Sequence, residues 1–403
     1  MSAPPLPLEE AQARLLALAP ALPVERRAVV DCVGYWLAEP LTALRTQPAA
    51  ALSAMDGYAV RGGEAGPWRV VGESAAGRPF ARSLGAGEAV RISTGAVMPE
   101  DADCVLLQED CEREGDRLIY REASPPPGRH VRRAGLDFVT GDVLLAAGTR
   151  LGAAQIGLAL ASGHTHLPVR RAAKLALLDC GDELAPPGVP AHAHRLPASN
   201  AAMLAALVAG LPVETRRMGP VADDLDALTA ALEAASDADI VVTTGGASVG
   251  DHDLIRPALE RLGAELAFWR VAIKPGKPLL VARRAKGNGN QVILGLPGNP
   301  ASAYVTSFLF LLPLLRAALG ATSPFPRPIP ARLAAPLGPG GKRTEFLRAR
   351  WSDGEVSPET EQDSGALRPL AHANALIRRE IDAPAAAVGD TVPVHWLENG
   401  GIA

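Results

Sequence analysis

The chain has 403 residues, 48% of them hydrophobic and 21% charged, a balance that excludes disorder and predicts about two to four separately cored domains. A net charge of −4 without a long basic run excludes nucleic acid as the main partner. Gly 40 and Pro 36 exceed average usage and point to many turns and short β connections. MSAPPLPLEE has neither the basic nor the apolar region of a signal peptide. Cys32, Cys104, Cys111 and Cys180 form neither a CxxC pair nor a secreted disulfide framework, so reduced thiols are expected. The longest apolar run, Ala301 to Leu319, is broken by Ser302, Thr306, Ser307, Pro313 and Arg316, which predicts a buried helix rather than a membrane span. A soluble cytoplasmic protein with no membrane partner is expected.

In chain order, LEEAQARLLALA (8–19) spaces its leucines as an amphipathic helix, with Glu9 and Glu10 in the first turn. A second helical stretch is expected around 24–38, then an extended piece to about residue 50. From 56 to 142, glycine-broken runs such as WRVVGES, EAVRISTG, ADCVLLQED and DRLIYREA predict a small antiparallel β domain inserted into the chain. A helix over Ala153 to Ser162 follows. From 172 onward strands and helices alternate, predicting a mostly parallel, doubly wound sheet with helices on both faces and ligands at the strands' carboxyl ends. PFPRPIP (324–330) reads as a linker to a last small β domain. The expected domains are 1–50 with 143–170 (helical and extended linker), 51–142 (inserted β), 171–325 (α/β) and 326–403 (C-terminal β).

The densest chemistry lies in VVTTGGASVGDHD (241–253), AIKPGKP (272–278) and GLPGNP (295–300). An apolar β-branched strand runs into a loop with Gly245, Gly246, Ser248 and Gly250, where backbone N–H groups can approach a phosphate without Cβ obstruction. Asp251 and Asp253 would repel that phosphate unless a divalent cation lay between, so the loop implies metal as well as anion. The spacing matches neither a dinucleotide fingerprint nor a P-loop. Its plain alternative is a βα turn capped by Asp251. Asp182, Glu183, Asp223 and Asp224 fall at neighbouring strand ends, and two or three such carboxylates with phosphate oxygens could build an octahedral magnesium shell. For Asp223 the alternative is helix N-capping, and for Glu183 a solvated loop acid.

Lys274 and Lys277, held in a stiff Pro-Gly-Pro frame, suit an oxyanion or a second phosphate, solvated turn lysines being the alternative. Pro297 to Pro300 form a sharp turn in which Asn299 either bonds a ligand or only shapes the turn. In the inserted segment Asp56-Gly57 is also a hairpin signal, and Thr94-Gly95 also a turn. Arg132, Arg133 and Asp137 are either a charged site or a surface ion pair. His192 and His194 form an HxH pair for which a plain loop outweighs a metal site. No Ser-His-Asp or Cys-His nucleophile arrangement stands out.

Together SAMDGYAVR (53–61), RISTGAVMPEDADCVLLQE (91–109), GDEL (181–184), TTGGASVGDHD, FWRVAIKPGKP and GLPGNP resemble the MoeA-type molybdopterin molybdenumtransferase family, which is related to the C-terminal domain of gephyrin. The likeness runs over essentially the whole chain. It implies a molybdopterin-binding central domain and insertion of molybdate into the dithiolene of adenylylated molybdopterin with Mg2+, releasing AMP and the finished cofactor. It further implies an elongated homodimer in which one subunit's central domain faces the other's inserted domain. A molybdopterin adenylyltransferase and molybdoenzyme apoproteins are its implied protein partners. The matching positions are Asp56, Thr94, Arg132, Asp137, Glu183, Asp223, Asp253 and Lys274 beside the glycine loop, with Arg348 and Ser364 near the end. Glu183, Asp223 and Asp253 are the implied metal ligands.

Four residues depart from the family pattern: Leu136 for an acid, Cys180 for a small hydroxyl residue, Arg270 for lysine, and Ala198 for an aspartate. Each is tolerable alone, and together they leave room for a catalytically altered paralogue, a molybdopterin carrier or scaffold or a tungstate-inserting enzyme, as the alternative, with Leu136 and Cys180 favouring the carrier. A pterin-activating adenylyltransferase would share the glycine loop but not need the outer domains.

Overall fold

The computed structural model describes residues 4–123, 125–189, 194–246, 254–287 and 289–397. Its centre is a sheet whose strands are apolar on both sides of the pleat. Leu175, Leu177, Ile240, Val242, Val292 and Leu294 enter one core, while the residues between them, Ala176, Leu178, Val241 and Ile293, enter another. Strands buried on both faces need helices over both, which the alternation of elements supplies. The helices Leu8–Leu16, Asn200–Val208 and Pro300–Ala318 cover the first face, and Leu225–Ala234 and Ile255–Arg261 the second.

The strand order is Val213–Val221, Ala173–Cys180, Ile240–Thr244, Gly289–Leu296, Leu280–Lys286, Glu265–Trp269. The first four are mutually parallel, Leu280–Lys286 runs against them and Glu265–Trp269 pairs antiparallel with it, so the expected parallel sheet holds over four strands and turns mixed at one edge. Pro300–Ala318 is long and apolar enough to cross a membrane, yet 89% of that window is buried among these strands and helices. A wide π turn at Ser307–Leu311 interrupts it, and the Leu309 carbonyl accepts from Gln12 Nε2 at 3.0 Å.

The stretch 24–38 is not helical. Val24–Ala28 pairs antiparallel with His166–Arg170, and a single 3-10 turn, Val29–Asp31, follows. A partner 140 residues away overrides local propensity. Beneath this ribbon Val29, Cys32, Leu37, Leu41, Leu151, Ala159 and Val169 form a separate core.

The inserted β segment is a six-stranded sheet, and it is mixed rather than antiparallel, because Trp68–Ser74 lies parallel to Glu88–Ile92. Asp56-Gly57 is not its hairpin turn. Gly57 opens the strand Gly57–Val60, and a Cβ there would overlap the Leu106 carbonyl of the neighbouring strand. At the end of the chain, Ile329–Leu333, Thr344–Ser352, Glu355–Pro358, Ala375–Arg379 and Thr391–Trp396 pair in a closed ring around Leu333, Val356, Ile377 and Val394. Ile273–Lys274, leaving the central domain, adds to Thr344–Ser352 and docks this barrel against the sheet's carboxyl edge.

Candidate active site

Three parallel strands, Ala173–Cys180, Ile240–Thr244 and Gly289–Leu296, end at one edge, where open α/β sheets bind their ligands. Gly245 (φ 93°) presses against the Cys180 carbonyl, which a Cβ would overlap, and donates its N–H to Leu296 O at 3.1 Å. Gly246 (φ 66°) continues in the left-handed region. Gly298 packs on this turn: a Cβ there would lie 3.4 Å from Gly245 Cα. The glycine loop and the PGNP turn therefore form one continuous backbone surface. Ser248, Gly250, Asp251, Asp253 and His192 lie outside the described residues.

The acids beside this surface are ordered by backbone donors. Asp223 N–H donates to Asp182 Oδ1 at 3.1 Å, and Asp182 N–H to Asp223 Oδ2 at 3.4 Å. Helix capping falls to the neighbour: Asp224 accepts from Asp226 and Ala227 N–H at 3.1 and 2.9 Å, leaving Asp223 turned to the 181–185 loop. Glu183 sits over Gly181 (φ 147°), where a Cβ would overlap its carboxylate. Among the described residues no group of three metal-ligating side chains gathers. Glu183 and Asp223 are two oxygen ligands of the hard type magnesium takes, and phosphate and water could complete the shell. Burial first, then the Asp179, Asp223 and Glu183 charges, push the Cys180 thiol up to about 12.

Beside the PGNP turn lies a cavity of about 380 Å³ between the central sheet and the barrel. Lys274, Lys277 and Arg343 line it with Asn299, Ser302, Gln362, Ser364 and Pro297. Asn299 Nδ2 donates to Ser364 Oγ at 2.9 Å, which leaves the serine proton for another acceptor. Ser364 O takes the Ala301 N–H at 3.0 Å and fixes the barrel loop to the helix start. Lys274 Nζ, half exposed, donates to Glu345 at 3.0 Å. Lys277 is exposed. Three cations, two hydroxyls and two amides around one small cavity, with an acid, Asp363, on its wall, suit a tetrahedral oxyanion.

Arg348 differs from the expected ligand contact. It is 1% exposed, its Nη2 donates to Glu361 O at 3.2 Å, its N–H to Gln362 Oε1 at 3.1 Å, and burial lowers its pKa. Arg348 alternates with the inward-facing Leu347 and Ala349, so it lies on the outer face of the barrel, where the 359–362 segment that it bonds covers it. It therefore holds the loop bearing Ser364 rather than touching the cavity.

Asp56 and Thr94 form a site of their own in the inserted domain. Thr94 donates its N–H (2.7 Å) and hydroxyl (3.1 Å) to Asp56 Oδ1, and these bonds, backbone first, hold the carboxyl below its ordinary range. Arg132 is exposed, on a short strand opposite Leu52, and Asp137 is exposed and donates its N–H to Gln47 O at 3.0 Å. Among the described residues no hydrogen bond or ion pair joins the Asp56–Thr94 pair to the central crevice. Of the four departures, Leu136 is 53% exposed, Ala198 is buried, Cys180 is buried in the second core of the sheet, and Arg270 stacks 4.1 Å from the Trp269 ring centre.

The chain matches three family models in order: the MoeA N-terminal region (domain I and II) over 6–163, a probable molybdopterin binding domain over 176–317, and the MoeA C-terminal region (domain IV) over 330–397. The chain belongs to the MoeA family. A molybdopterin molybdenumtransferase of Haemophilus influenzae is 34% identical over 315 residues, 77% of each chain. One of Bacillus subtilis is 31% identical over 389 residues, 93% of this chain and 90% of that one. The crystal structure of a molybdopterin biosynthesis MoeA protein from Pyrococcus horikosii superposes with a TM-score of 0.81 at 31% identity, covering 97% of this chain and 98% of that one. The family is one of transferases in molybdenum cofactor biosynthesis. Asp179, Asn200, Arg343 and Glu345 lie in or behind this crevice and were not singled out from the sequence. Asp179 alone carried a signal, an acid inside the apolar strand LALLDC.

Proposed function

We propose that this protein is a molybdopterin molybdenumtransferase that inserts molybdate into adenylylated molybdopterin with Mg2+, releasing AMP and molybdenum cofactor. The observation that carries the reading is the cationic cavity directly beside a glycine-built phosphate surface. The open backbone at Gly245, Gly246 and Gly298 would take the pterin phosphates, the Gly245 N–H being committed to Leu296 O. Glu183 and Asp223, with Asp253, would hold a magnesium ion, which when bound neutralises phosphate charge. Lys274, Lys277, Arg343 and Ser364 would bind molybdate and stabilise the negative charge that builds as pterin sulfurs replace its oxygens. One displaced oxygen leaves as water with the two thiol protons, and attack of water on the phosphoanhydride frees AMP while the other phosphate stays on the pterin.

The same reading assigns a homodimer and a cytoplasmic setting. Support for the dimer is apolar surface outside the sheet: Val30, Val33, Leu44 and Val143 are 59–67% exposed. A second subunit covering that surface would let Asp56, Thr94, Arg132 and Asp137 serve its partner's crevice. The experiment is pterin and oxyanion turnover by the purified protein, with sedimentation to give its mass. Tight pterin binding without turnover would favour the carrier alternative instead.

A further inference from the structure

Asp179 is the penultimate residue of the strand Ala173–Cys180 and is 5% exposed, a carboxylate among leucines. Its Oδ1 accepts two hydrogen bonds, from the Thr244 hydroxyl at 2.7 Å and from the Ala201 N–H at 3.0 Å. Thr244 is the last strand residue before Gly245 and Gly246. Ala201 lies in the first turn of the helix Asn200–Val208, whose N-cap, Ser199, makes no side-chain cap bond. The free N–H of that turn is served from a strand 22 residues earlier in the chain. Asn200, the first residue of the same helix, donates Nδ2 to Gly298 O at 2.7 Å.

One carboxylate oxygen is thus the node between the strand that delivers the glycine loop and the helix that holds the PGNP turn. Burying a charge is unfavourable unless donors and potential compensate it. Here a hydroxyl, a backbone N–H and the positive end of a helix do so. Packing alone would be met by an apolar residue, as at Leu177 and Leu178 beside it. Asp179 itself stands behind the glycine surface and touches no substrate.

We infer that Asp179 is a positioning residue for pterin binding, locking Gly245–Gly246 and Gly298 into one rigid phosphate surface. The inference rests on the proposed function. Because both bonds end on Oδ1, Asp179→Asn can keep both while removing the charge, Asp179→Ala removes both, and Thr244→Val removes one with little change of shape.

The test is equilibrium binding of adenylylated molybdopterin to the full chain, with the KM for molybdate measured in parallel. Asp179→Ala is expected to raise the pterin Kd about tenfold or more, and Thr244→Val about threefold, two net hydrogen bonds against one. Asp179→Asn is expected to fall between Asp179→Ala and the wild type, and the molybdate KM to stay unchanged in all three. Faster amide exchange at Gly245 in Thr244→Val accompanies the loss. Should Asp179→Ala fail to fold, Thr244→Val and Asp179→Asn carry the decision. Pterin affinities within about twofold of wild type, or a molybdate KM that moves in step, overturn the inference. A wild-type protein that binds no pterin overturns the functional reading and this inference together, whereas wild-type binding with unaffected variants overturns only the inference.

Discussion

Lys274→Ala removes one of three cations around the oxyanion cavity and separates binding from folding. A hydrogen bond between charged groups contributes about 1.5–3 kcal/mol net. The Lys274 side chain is 51% exposed, so solvent screening puts the loss at the lower end. At about 1.4 kcal/mol per decade, the molybdate KM should rise about tenfold. Glu345 adds to this, since it is 15% exposed and loses the ammonium 3.0 Å away, leaving a carboxylate beside the incoming anion. Glu345→Gln in the Lys274→Ala background should therefore recover about threefold of the loss, an interaction read from the double-mutant cycle. Because the ion pair is partly exposed, its removal costs at most about 1 kcal/mol of stability, and the melting transition should barely move. The assay is the initial rate of molybdate-dependent AMP release against molybdate concentration at saturating pterin. A molybdate KM within about twofold of wild type, or a loss that tracks unfolding, would refute the reasoning.

Asp239 accepts Arg171 at 2.7 and 2.9 Å, Lys286 at 3.1 Å and the Lys174 N–H at 2.9 Å while 4% exposed. Asp239→Ala should lower stability by about 3–5 kcal/mol in denaturant melts, and an unchanged midpoint would contradict it. His395 lies 4% exposed between Phe308 and Phe346, and burial, with the Arg378 charge, pulls its pKa down to about 4. The unfolded chain takes the proton near 6.5 and the folded chain does not. Stability is therefore full above about 6.5 and falls toward pH 4, by up to about 3 kcal/mol. Melting of His395→Leu should be flatter with pH over that window, and parallel curves would refute it. Gly245→Ala, forced into φ 93° against the Cys180 carbonyl, should lose pterin affinity at least about tenfold, read by equilibrium binding. Wild-type affinity would remove the glycine surface from the account.

The central sheet was legible because its strands are short apolar runs separated by helical periods, and the glycine loop because left-handed backbone selects glycine. What escaped depended on distant partners. Val24–Ala28 is a strand only because His166–Arg170 lies beside it. Gly57 is demanded by the Leu106 carbonyl and not by a turn. Asp223 and Asp224 are indistinguishable in sequence, and only the direction of the helix decides which one caps it. Arg348 matches a family position, yet whether a guanidinium faces the cavity or props the wall depends on how the outer face of the barrel packs on the central domain. Asp179 was readable as an oddity, but its partners lie 22 and 65 residues away.

The most direct measurement is AMP release from adenylylated molybdopterin and Mg2+ by the purified protein, with and without molybdate, and again with tungstate. Release that depends on the oxyanion is expected, accompanied by cofactor able to activate an apo-molybdoenzyme. Pterin that binds tightly while AMP release stays independent of any oxyanion would contradict it.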